Sequence, residues 1–351
     1  MKKLLNIGRR GFIGGTLLAL GAVIGWFSRK FQGPSAVRET KPSTQTSRFV
    51  YDMSEFEKTD PKLLMYEAGP TFITGFKRVD RIALDPFHNH VLVAGDRAIR
   101  CFQATGDLIR EIPLERPPHC LFVSREKEWF VGLGNHFEIY DREGNQKVKS
   151  PRLPGQAFLT SIVAHEGRVY LADAGNREIL VCDQEGNLID RFGKKDSERN
   201  NPGFAVPSPY FDLELTDDFR LLVANTGRLR METYTLDGQF EASWGGPGMR
   251  IDRFCGCCNP VYFTQTQNGH IITSEKGLER INIYEANGTF KGAVAGPLHL
   301  SGESSQRSRK PQSIDGKGGF DIAINEAGII FALDPHKQIV RSFVPKKDTV
   351  I

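Results

Sequence analysis

Residues 161–193 read SIVAHEGRVYLADAGNREILVCDQEGNLIDRFG. Two apolar runs flank a turn containing His-Glu-Gly, and a third apolar run follows a polar loop. The third and fourth runs are separated by Gln-Glu-Gly-Asn, in which the glycine adopts a positive φ at little cost and so favours a hairpin. The stretch therefore predicts four short antiparallel strands in succession.

The same pattern recurs from about residue 70 onward. Equivalent first strands are predicted to begin near Arg81, Cys120, Ser161, Phe211, Val261 and Phe320, which gives a period of about 40 to 60 residues. Glycine-bearing hairpin turns recur with them at Gly106, Gly144, Gly186, Gly238 and Gly288. Units of four short strands at this period are typical of propeller blades. We predict an all-β, six-bladed β-propeller over residues 60–351.

The last unit lacks a fourth strand, because it ends at Arg341-Ser-Phe-Val-Pro345. Residues 63–68, Leu-Leu-Met-Tyr-Glu-Ala, precede the first unit and have the character of an isolated strand. We predict that this N-terminal strand completes the last blade, because pairing there would leave no free sheet edge.

One segment carries a family resemblance. Residues Val169–Ile179, VYLADAGNREI, resemble the core of an NHL repeat, with an Asp, an Asn and a basic residue in the loop before the third strand. NHL and related propellers include scaffolds, ligand-binding modules, lactonase-like hydrolases and a zinc-dependent lyase. The resemblance therefore implies the shape of the protein more firmly than its activity.

Charge is distributed unevenly along the chain. The formal net charge is +4, but the first fifty residues hold nine basic side chains and one acidic side chain, which leaves residues 51–351 near −4. Binding to phosphate backbones requires a clustered surplus of Lys and Arg. The slightly acidic body therefore argues against a nucleic-acid partner.

The N-terminus has the character of an export signal. Arg9 and Arg10 are followed by Phe12 and Ile13, and residues 11–28 form an uncharged stretch. This arrangement resembles a twin-arginine signal, although Gly8 stands where Ser or Thr is usual. The alternative is a plain membrane anchor through residues 11–28, because eighteen uncharged residues nearly span a bilayer.

These features predict three segments. Residues 1–30 are a twin-arginine signal or membrane anchor, residues 31–59 a flexible tether, and residues 60–351 the propeller. The twin-arginine translocase is then the export partner. The propeller is expected to work outside the cytoplasmic membrane, in the periplasm, either soluble after cleavage or anchored.

The segment Phe254-Cys-Gly-Cys-Cys-Asn-Pro260 holds three of the six cysteines within four residues. Thiolates are ligands for Cu, Zn and Fe, and an imidazole is a common additional ligand. His119 and Cys120 precede the second blade as Cys255, Cys257 and Cys258 precede the fifth, so these five residues form a candidate metal site. The alternatives are a structural disulfide, within the turn or to Cys120, and a redox-active dithiol. Cys101 and Cys182 are predicted to be buried thiols in third strands.

Propeller topology predicts which residues share a face. Loops between blades and loops between second and third strands lie on one face, where the candidate binding residues are Arg97, His136, Asp173, Arg177, Arg228, Glu275 and His336. His88, His90, His165 and His270 are predicted on the opposite face, as surface or turn residues.

The leading functional hypothesis is a non-enzymatic scaffold that binds a protein or a small-molecule ligand through the face carrying the Cys-Gly-Cys-Cys turn. The alternative is a metal-dependent redox or electron-transfer protein, or a lyase or hydrolase, with a Cys/His metal site at the channel mouth. The family resemblance implies that a calcium-dependent hydrolase would need Glu275, Asn225 and Asp173 near the axis. We favour turn hydrogen bonding for these three residues and rank calcium below a transition metal.

Overall fold

The computed structural model describes residues 54–85, 87–301 and 318–347. Within them lie two short α-helices, α1 (Ser54–Glu57) and α2 (Pro297–Ser301), and two 3-10 helices at Pro61–Leu63 and Thr226–Arg228. No helix in this part of the chain is long and apolar enough to cross a bilayer. The predicted signal and all but the last residues of the predicted tether, 54–59, lie outside the described residues.

The described strands form six four-stranded antiparallel sheets. The strand that comes first in the chain is β1 (Tyr66–Ile73). The first blade is β2 (Val79–Asp85), β3 (His90–Gly95), β4 (Ala98–Gln103) and β5 (Leu108–Pro113). The second blade is β6 (Cys120–Val123), β7 (Trp129–Gly132), β8 (Phe137–Tyr140) and β9 (Gln146–Lys149). The third blade is β10 (Leu159–His165), β11 (Arg168–Asp173), β12 (Glu178–Asp183) and β13 (Leu188–Phe192).

The remaining blades follow the same order. The fourth blade is β14 (Leu213–Leu215), β15 (Leu221–Asn225), β16 (Arg230–Tyr234) and β17 (Phe240–Gly245). The fifth blade is β18 (Tyr262–Gln265), β19 (Ile271–Glu275), β20 (Arg280–Tyr284) and β21 (Phe290–Ala295). The last three strands are β22 (Asp321–Ile324), β23 (Ile330–Asp334) and β24 (Ile339–Pro345). The prediction of a six-bladed β-propeller is confirmed, and each first strand begins within two residues of its predicted start.

The sixth blade is completed by the N-terminal strand. Its strand order is β22-β23-β24-β1, and β1 pairs antiparallel with β24 from Tyr66 opposite Pro345 to Ile73 opposite Ile339. Tyr66 is only 3% exposed, and its hydroxyl donates to the carbonyl of Gly328 at 3.1 Å. The predicted closure of the ring is therefore confirmed.

The hairpin glycines behave as their positions require. Gly186, between β12 and β13, has φ +89°, and a Cβ added there would lie 2.2 Å from the side chain of Ser150 in the preceding blade. A residue with a side chain would be strained at this φ and would also collide with the neighbouring blade. The glycine thus permits both the turn and the close approach of the two blades.

The core lies between neighbouring blades. Tyr170 and Val163 of the third blade pack with Phe211, Leu213 and Tyr234 in or beside the fourth. Successive side chains of a strand point to opposite faces of the sheet, and β3 and β12 are buried continuously over Val91–Gly95 and Glu178–Cys182. Both faces of these sheets therefore pack against neighbouring blades. Cys101 in β4 and Cys182 in β12 are buried in such layers, as predicted.

Candidate binding site at the Cys-turn face

The loops between blades and the loops between second and third strands lie on one face of the ring. We call it the Cys-turn face, and it includes residues 115–119, 174–177 and 255–261. All the candidate site residues of the sequence analysis belong to this face by strand order. The first strand of each blade lines the central channel that opens there.

Polar side chains at the ends of second strands fasten the loops of this face. Asp173 is fully buried, and its Oδ1 accepts the backbone N–H groups of Phe158 at 2.8 Å and Gly175 at 3.0 Å. In the next blade, Asn225 is also buried, and its Oδ1 accepts the N–H of Ala205 at 3.0 Å. In both blades the side chain holds the incoming loop against the strand end. These contacts are those of turn-forming residues.

Glu275 and Asn259 hold the Cys turn from both ends. Glu275 is buried, its Oε2 accepts the N–H of Cys255 at 2.9 Å, and its Oε1 accepts from Arg280 Nε at 2.7 Å. Asn259 accepts the N–H of Lys276 at 2.9 Å through Oδ1, and its amide donates to the carbonyls of Cys255 and Lys276. A buried carboxylate that is both paired and hydrogen-bonded fixes its surroundings firmly. The turn is therefore rigidly attached to β19 and β20.

Two pairs of sulfur atoms lie at this turn. The Sγ atoms of Cys257 and Cys258 are 3.4 Å apart, and Cys255 Sγ lies 3.6 Å from Met249 Sδ. Cys257 is exposed, whereas Cys255 and Cys258 are buried, and burial raises the pKa of both buried thiols. A cysteine reacts as its thiolate, and burial disfavours the thiolates of Cys255 and Cys258. Cys257 is therefore the accessible thiol of the turn.

A buried ion cluster crosses the channel beneath this face. Arg81 donates through Nε to the carbonyl of His119 at 2.7 Å and through Nη2 to the carbonyl of Thr160. Its guanidinium lies 4.4 Å from the ring centre of Tyr262, and Nη1 lies 3.9 Å from Asp321 Oδ1. The side chain of Arg81, from the first blade, thus contacts residues in or beside four other blades. Sequence reasoning missed this cluster.

Two carboxyl groups of the cluster also join adjacent blades. Asp321 Oδ2 accepts the N–H of Ile82 at 2.8 Å, and Asp212 Oδ2 accepts the N–H of Phe263 at 3.1 Å. Burial raises the pKa of Asp321 to about 7, with Arg81 opposing the shift and Asp212 adding to it. The signal in the sequence was the repetition of Phe-Asp followed by an aliphatic residue, at 211–213 and 320–322.

A cavity of about 120 Å³ opens at the channel mouth above the cluster. The residues that line it and bear on recognition are Lys77, Arg78, Asp80, Tyr210, Tyr262 and Asp321. Tyr210 and Tyr262 meet edge to face with ring centres 5.7 Å apart, and burial raises the pKa of both hydroxyls. Both phenols are therefore neutral at physiological pH and can donate hydrogen bonds.

Arg78 is a basic residue in the wall of this cavity. Its Nε donates to Asp80 Oδ2 at 3.1 Å, while its Nη2 is buried and has no hydrogen-bond partner among the described residues. A buried donor without an acceptor costs free energy that an incoming acceptor would recover. Arg78 therefore brings a guanidinium N–H without a hydrogen-bond partner in the described part of the chain to the wall of the cavity, just beneath its surface.

A chain of side-chain contacts links the cavity to the Cys turn. Lys276 Nζ lies 4.4 Å from the ring centre of Tyr210 and 3.4 Å from Ser208 Oγ. The Ser208 hydroxyl also contacts the Cys258 thiol. The cavity wall is therefore connected to Cys258 through the side chains of Tyr210, Lys276 and Ser208.

The sequence-predicted site residues differ in exposure, and His119 is half-buried. Those with exposed positions on the face are Arg97, Arg177, Arg228, His336 and Cys257. Those buried within the fold are Cys120, His136, Asp173, Glu275, Cys255 and Cys258.

The histidines of this face each contact a carboxylate or an aromatic ring. The Nε2 of His336 lies 2.7 Å from Glu279 Oε1, and that of His136 lies 3.4 Å from Glu138 Oε1. His119 packs against the ring of Phe158 at 4.7 Å. Burial and three nearby arginines lower the pKa of His119 to about 4, so its ring is neutral at physiological pH.

The five residues predicted as a metal site are not brought to a single point. In the described parts of the chain, no three of His119, Cys120, Cys255, Cys257 and Cys258 place ligand atoms within 4.8 Å of one another. Cys120 instead packs in the core beside Leu159 and Gly132. A centre drawing on the whole set would need these loops to move.

Comparisons with known proteins show similarity in fold. The chain is similar to the WD40 propeller domain of Doa1, with a TM-score of 0.51 and 14% identity over 77% of this chain and 79% of that one. It is also similar to a streptogramin B lyase, with a TM-score of 0.54 and 11% identity over 80% of this chain and 98% of that one. No protein-family model and no curated protein matches the sequence. At these identities the likeness is one of architecture, and the chain is a six-bladed β-propeller.

Proposed function

We propose that this protein is a ligand-binding propeller whose site is the channel-mouth cavity beside the Cys turn, and that its ligand is a small anion. The observation that carries the proposal is the buried Nη2 of Arg78, which has no hydrogen-bond partner among the described residues. Lys77 and Tyr262 line the same cavity and add further donors, while the Tyr210 hydroxyl already contacts the backbone of Gly318. A ligand carboxylate or phosphate would satisfy several of these donors at once.

The acidic residues of the cavity are compatible with an anion. Asp80 is engaged by Arg78, and burial raises its pKa. Asp321 faces Arg81, and its pKa near 7 means that it is partly protonated at neutral pH. The wall therefore carries less negative charge than its composition suggests.

Calorimetric titration with benzoate, inorganic phosphate and the neutral analogue benzamide tests the proposal. We expect at least one anion to bind, benzamide to bind more weakly than benzoate, and Arg78→Ala to lower the anion affinity by about 10- to 100-fold through loss of a charge-assisted contact. Arg125→Ala is the matched control, because Arg125 is an exposed arginine of the opposite face. Equal anion affinities in Arg78→Ala and the unmodified protein would refute this site.

We also propose that the blades are NHL-type repeats. The loop of residues 173–178 in the third blade supports this assignment, because Asp173 accepts three backbone N–H groups there and Asn176 Nδ2 donates to Asp173 Oδ2 at 2.6 Å. Asn225 fills the same position in the fourth blade. Asp173→Ala should therefore destabilise the fold while leaving anion affinity per folded molecule unchanged.

We propose export by the twin-arginine route to the periplasm, supported by Arg9, Arg10, Phe12 and Ile13. Replacing Arg9 and Arg10 by Lys keeps the charge but removes the paired arginines. The variant should then accumulate in the cytoplasm when residues 1–50 are fused to a reporter. Unchanged export of the Lys variant would point to the alternative of a plain anchor or another signal.

A second candidate function is a soft-metal centre at the Cys turn, favoured by two close sulfur pairs, Cys257 with Cys258 and Cys255 with Met249. Thiolate and thioether sulfurs select Cu(I), Zn and Fe–S clusters. Elemental analysis of protein purified from its native host tests it. Stoichiometric metal that is lost in Cys257→Ser would favour this function, and metal-free protein would favour the scaffold.

A further inference from the structure

A histidine–carboxylate cluster lies on the opposite face of the ring, in the turn between β2 and β3. Asp85 ends β2 and His90 begins β3, and the two residues are paired directly across the hairpin. His88 lies in the turn between them. Residues facing each other across an antiparallel pair have Cβ atoms about 5 Å apart, so their side chains can share one ligand.

The ligand atoms of these three side chains converge. One atom from each of Asp85, His88 and His90 lies within 4.8 Å of the other two. Asp85 Oδ2 is 2.8 Å from His88 Nδ1, and the two imidazole rings stack with centres 5.4 Å apart. Within the described residues, this is the only group of three or more His, Cys, Asp or Glu side chains that meets this criterion.

The cluster is preorganised. Asp85 is 5% exposed, and its Oδ1 accepts the N–H of Phe87 at 2.9 Å, which leaves Oδ2 for His88. Asn89, with φ +54°, accepts through Oδ1 a hydrogen bond from Asn325 Nδ2 at 3.0 Å, which ties the turn to the sixth blade. Ligands held in place before binding lose less conformational freedom when a ligand arrives.

The charges around the cluster bear on its protonation. Burial lowers the pKa of His90, and the neighbouring His88 and Arg110 lower it further while Asp85 opposes them. Neutral imidazole is the form that ligates a metal. Lys127, in the turn between β6 and β7, lies 4.7 Å from the ring centre of Phe87 and brings a second cation near this turn.

We propose that Asp85, His88 and His90 form a binding site for a divalent transition-metal ion such as Zn²⁺. Two imidazoles and one carboxylate suit Zn²⁺ and its neighbours better than Ca²⁺ or Mg²⁺, which prefer all-oxygen sites. Three protein ligands leave coordination positions for water or an external group. The site lies on the face opposite the proposed anion cavity, so the two proposals stand or fall separately.

The test uses the full chain carrying Cys255→Ser, Cys257→Ser and Cys258→Ser, so that the Cys turn contributes no thiolate. Calorimetric titration with Zn²⁺ should show one site per chain. His88→Ala and His90→Ala should each weaken it by about 10-fold or more, because each removes one of three ligands. His270→Ala is the matched control, since His270 precedes β19 on the same face and lies outside the cluster.

A spectroscopic measurement separates this site from the sulfur-rich turn. Co²⁺ added to the triple-serine protein should give ligand-field absorption without a thiolate charge-transfer band, and both His88→Ala and His90→Ala should reduce it. Because His88 is partly exposed, His88→Ala is expected to fold normally, and its unfolding curve without metal should match that of the parent protein. Absence of Zn²⁺ binding in the parent, or equal binding in His90→Ala, would overturn the proposal.

Discussion

The guanidinium of Arg81 in the first blade lies 3.9 Å from the carboxylate of Asp321 in the sixth. The N–H of the next residue, Ile82, donates to the same carboxyl group at 2.8 Å. The two blades on either side of the ring closure are therefore joined at the channel as well as by β1 at the periphery. Ring closure has an inner and an outer set of contacts.

Arg81→Leu should destabilise the protein by about 3–5 kcal/mol, because it leaves Asp321 and Asp212 buried without their cation. Urea denaturation followed by circular dichroism measures the change. Arg125→Leu is the control, since Arg125 pairs with Asp217 at 3.8 Å on exposed side chains and should cost about 0–1 kcal/mol. Similar losses in both variants would show that the inner closure does not depend on the buried pair.

Asp321 should contribute a decrease in stability as pH rises from about 5 to 7.5. The pKa of Asp321 is about 7 in the folded protein, well above the 3.8 of an unperturbed aspartate, so the folded state holds this proton more tightly than the unfolded state. Raising the pH through this interval ionises the buried group and lowers the free energy of unfolding. Asp321→Asn cannot ionise and should reduce the decrease by at least about 1 kcal/mol. Urea midpoints at the two pH values give the measurement, with Asp217→Asn as an exposed control that should retain the full decrease.

The outer closure depends on Tyr66. Tyr66→Ala removes a ring that is 3% exposed and packed among residues of the fifth and sixth blades, so we expect a loss of about 3–5 kcal/mol. Ile73→Ala lies in the same strand, but Ile73 is 76% exposed and should cost no more than about 0.5 kcal/mol. Thermal unfolding of the two variants provides the comparison, and equal midpoints would contradict the role of Tyr66.

The thiols should react in a fixed order. Cys257 is exposed and should be alkylated first by iodoacetamide in the native protein. Burial raises the pKa of Cys101 to about 11 and that of Cys120 and Cys182 to about 12, so these three should react only after unfolding. Peptide mass mapping over time measures the order. Early labelling of Cys120 would show that the channel opens in solution.

The sequence was most informative about the ring. Strand period and hairpin glycines such as Gly186 are local signals, and the missing fourth strand after Arg341 pointed to the strand at Tyr66. Strand order alone also assigns residues to one face or the other, since the assignment follows from the direction of each strand. These features depend on neighbours along the chain.

The channel cluster could not be predicted from local sequence signals. Arg81, Asp212, Tyr262 and Asp321 come from four different blades, and only closure of the ring brings them together. Burial was equally hidden, because Cys120 at the start of β6 and Cys257 in the loop before β18 belong to the same face but differ completely in exposure. The spacing of residues along the chain specifies the face of the ring but not the depth from its surface.

The pairing of the first strand with the last has a consequence for biosynthesis. While the ribosome is still translating the sixth blade, β1 has no partner, and the partial ring exposes the apolar faces of the first and fifth blades that the sixth blade covers. Closure must therefore follow synthesis of β24, and until then the unpaired strand and these faces are open to contact with other chains.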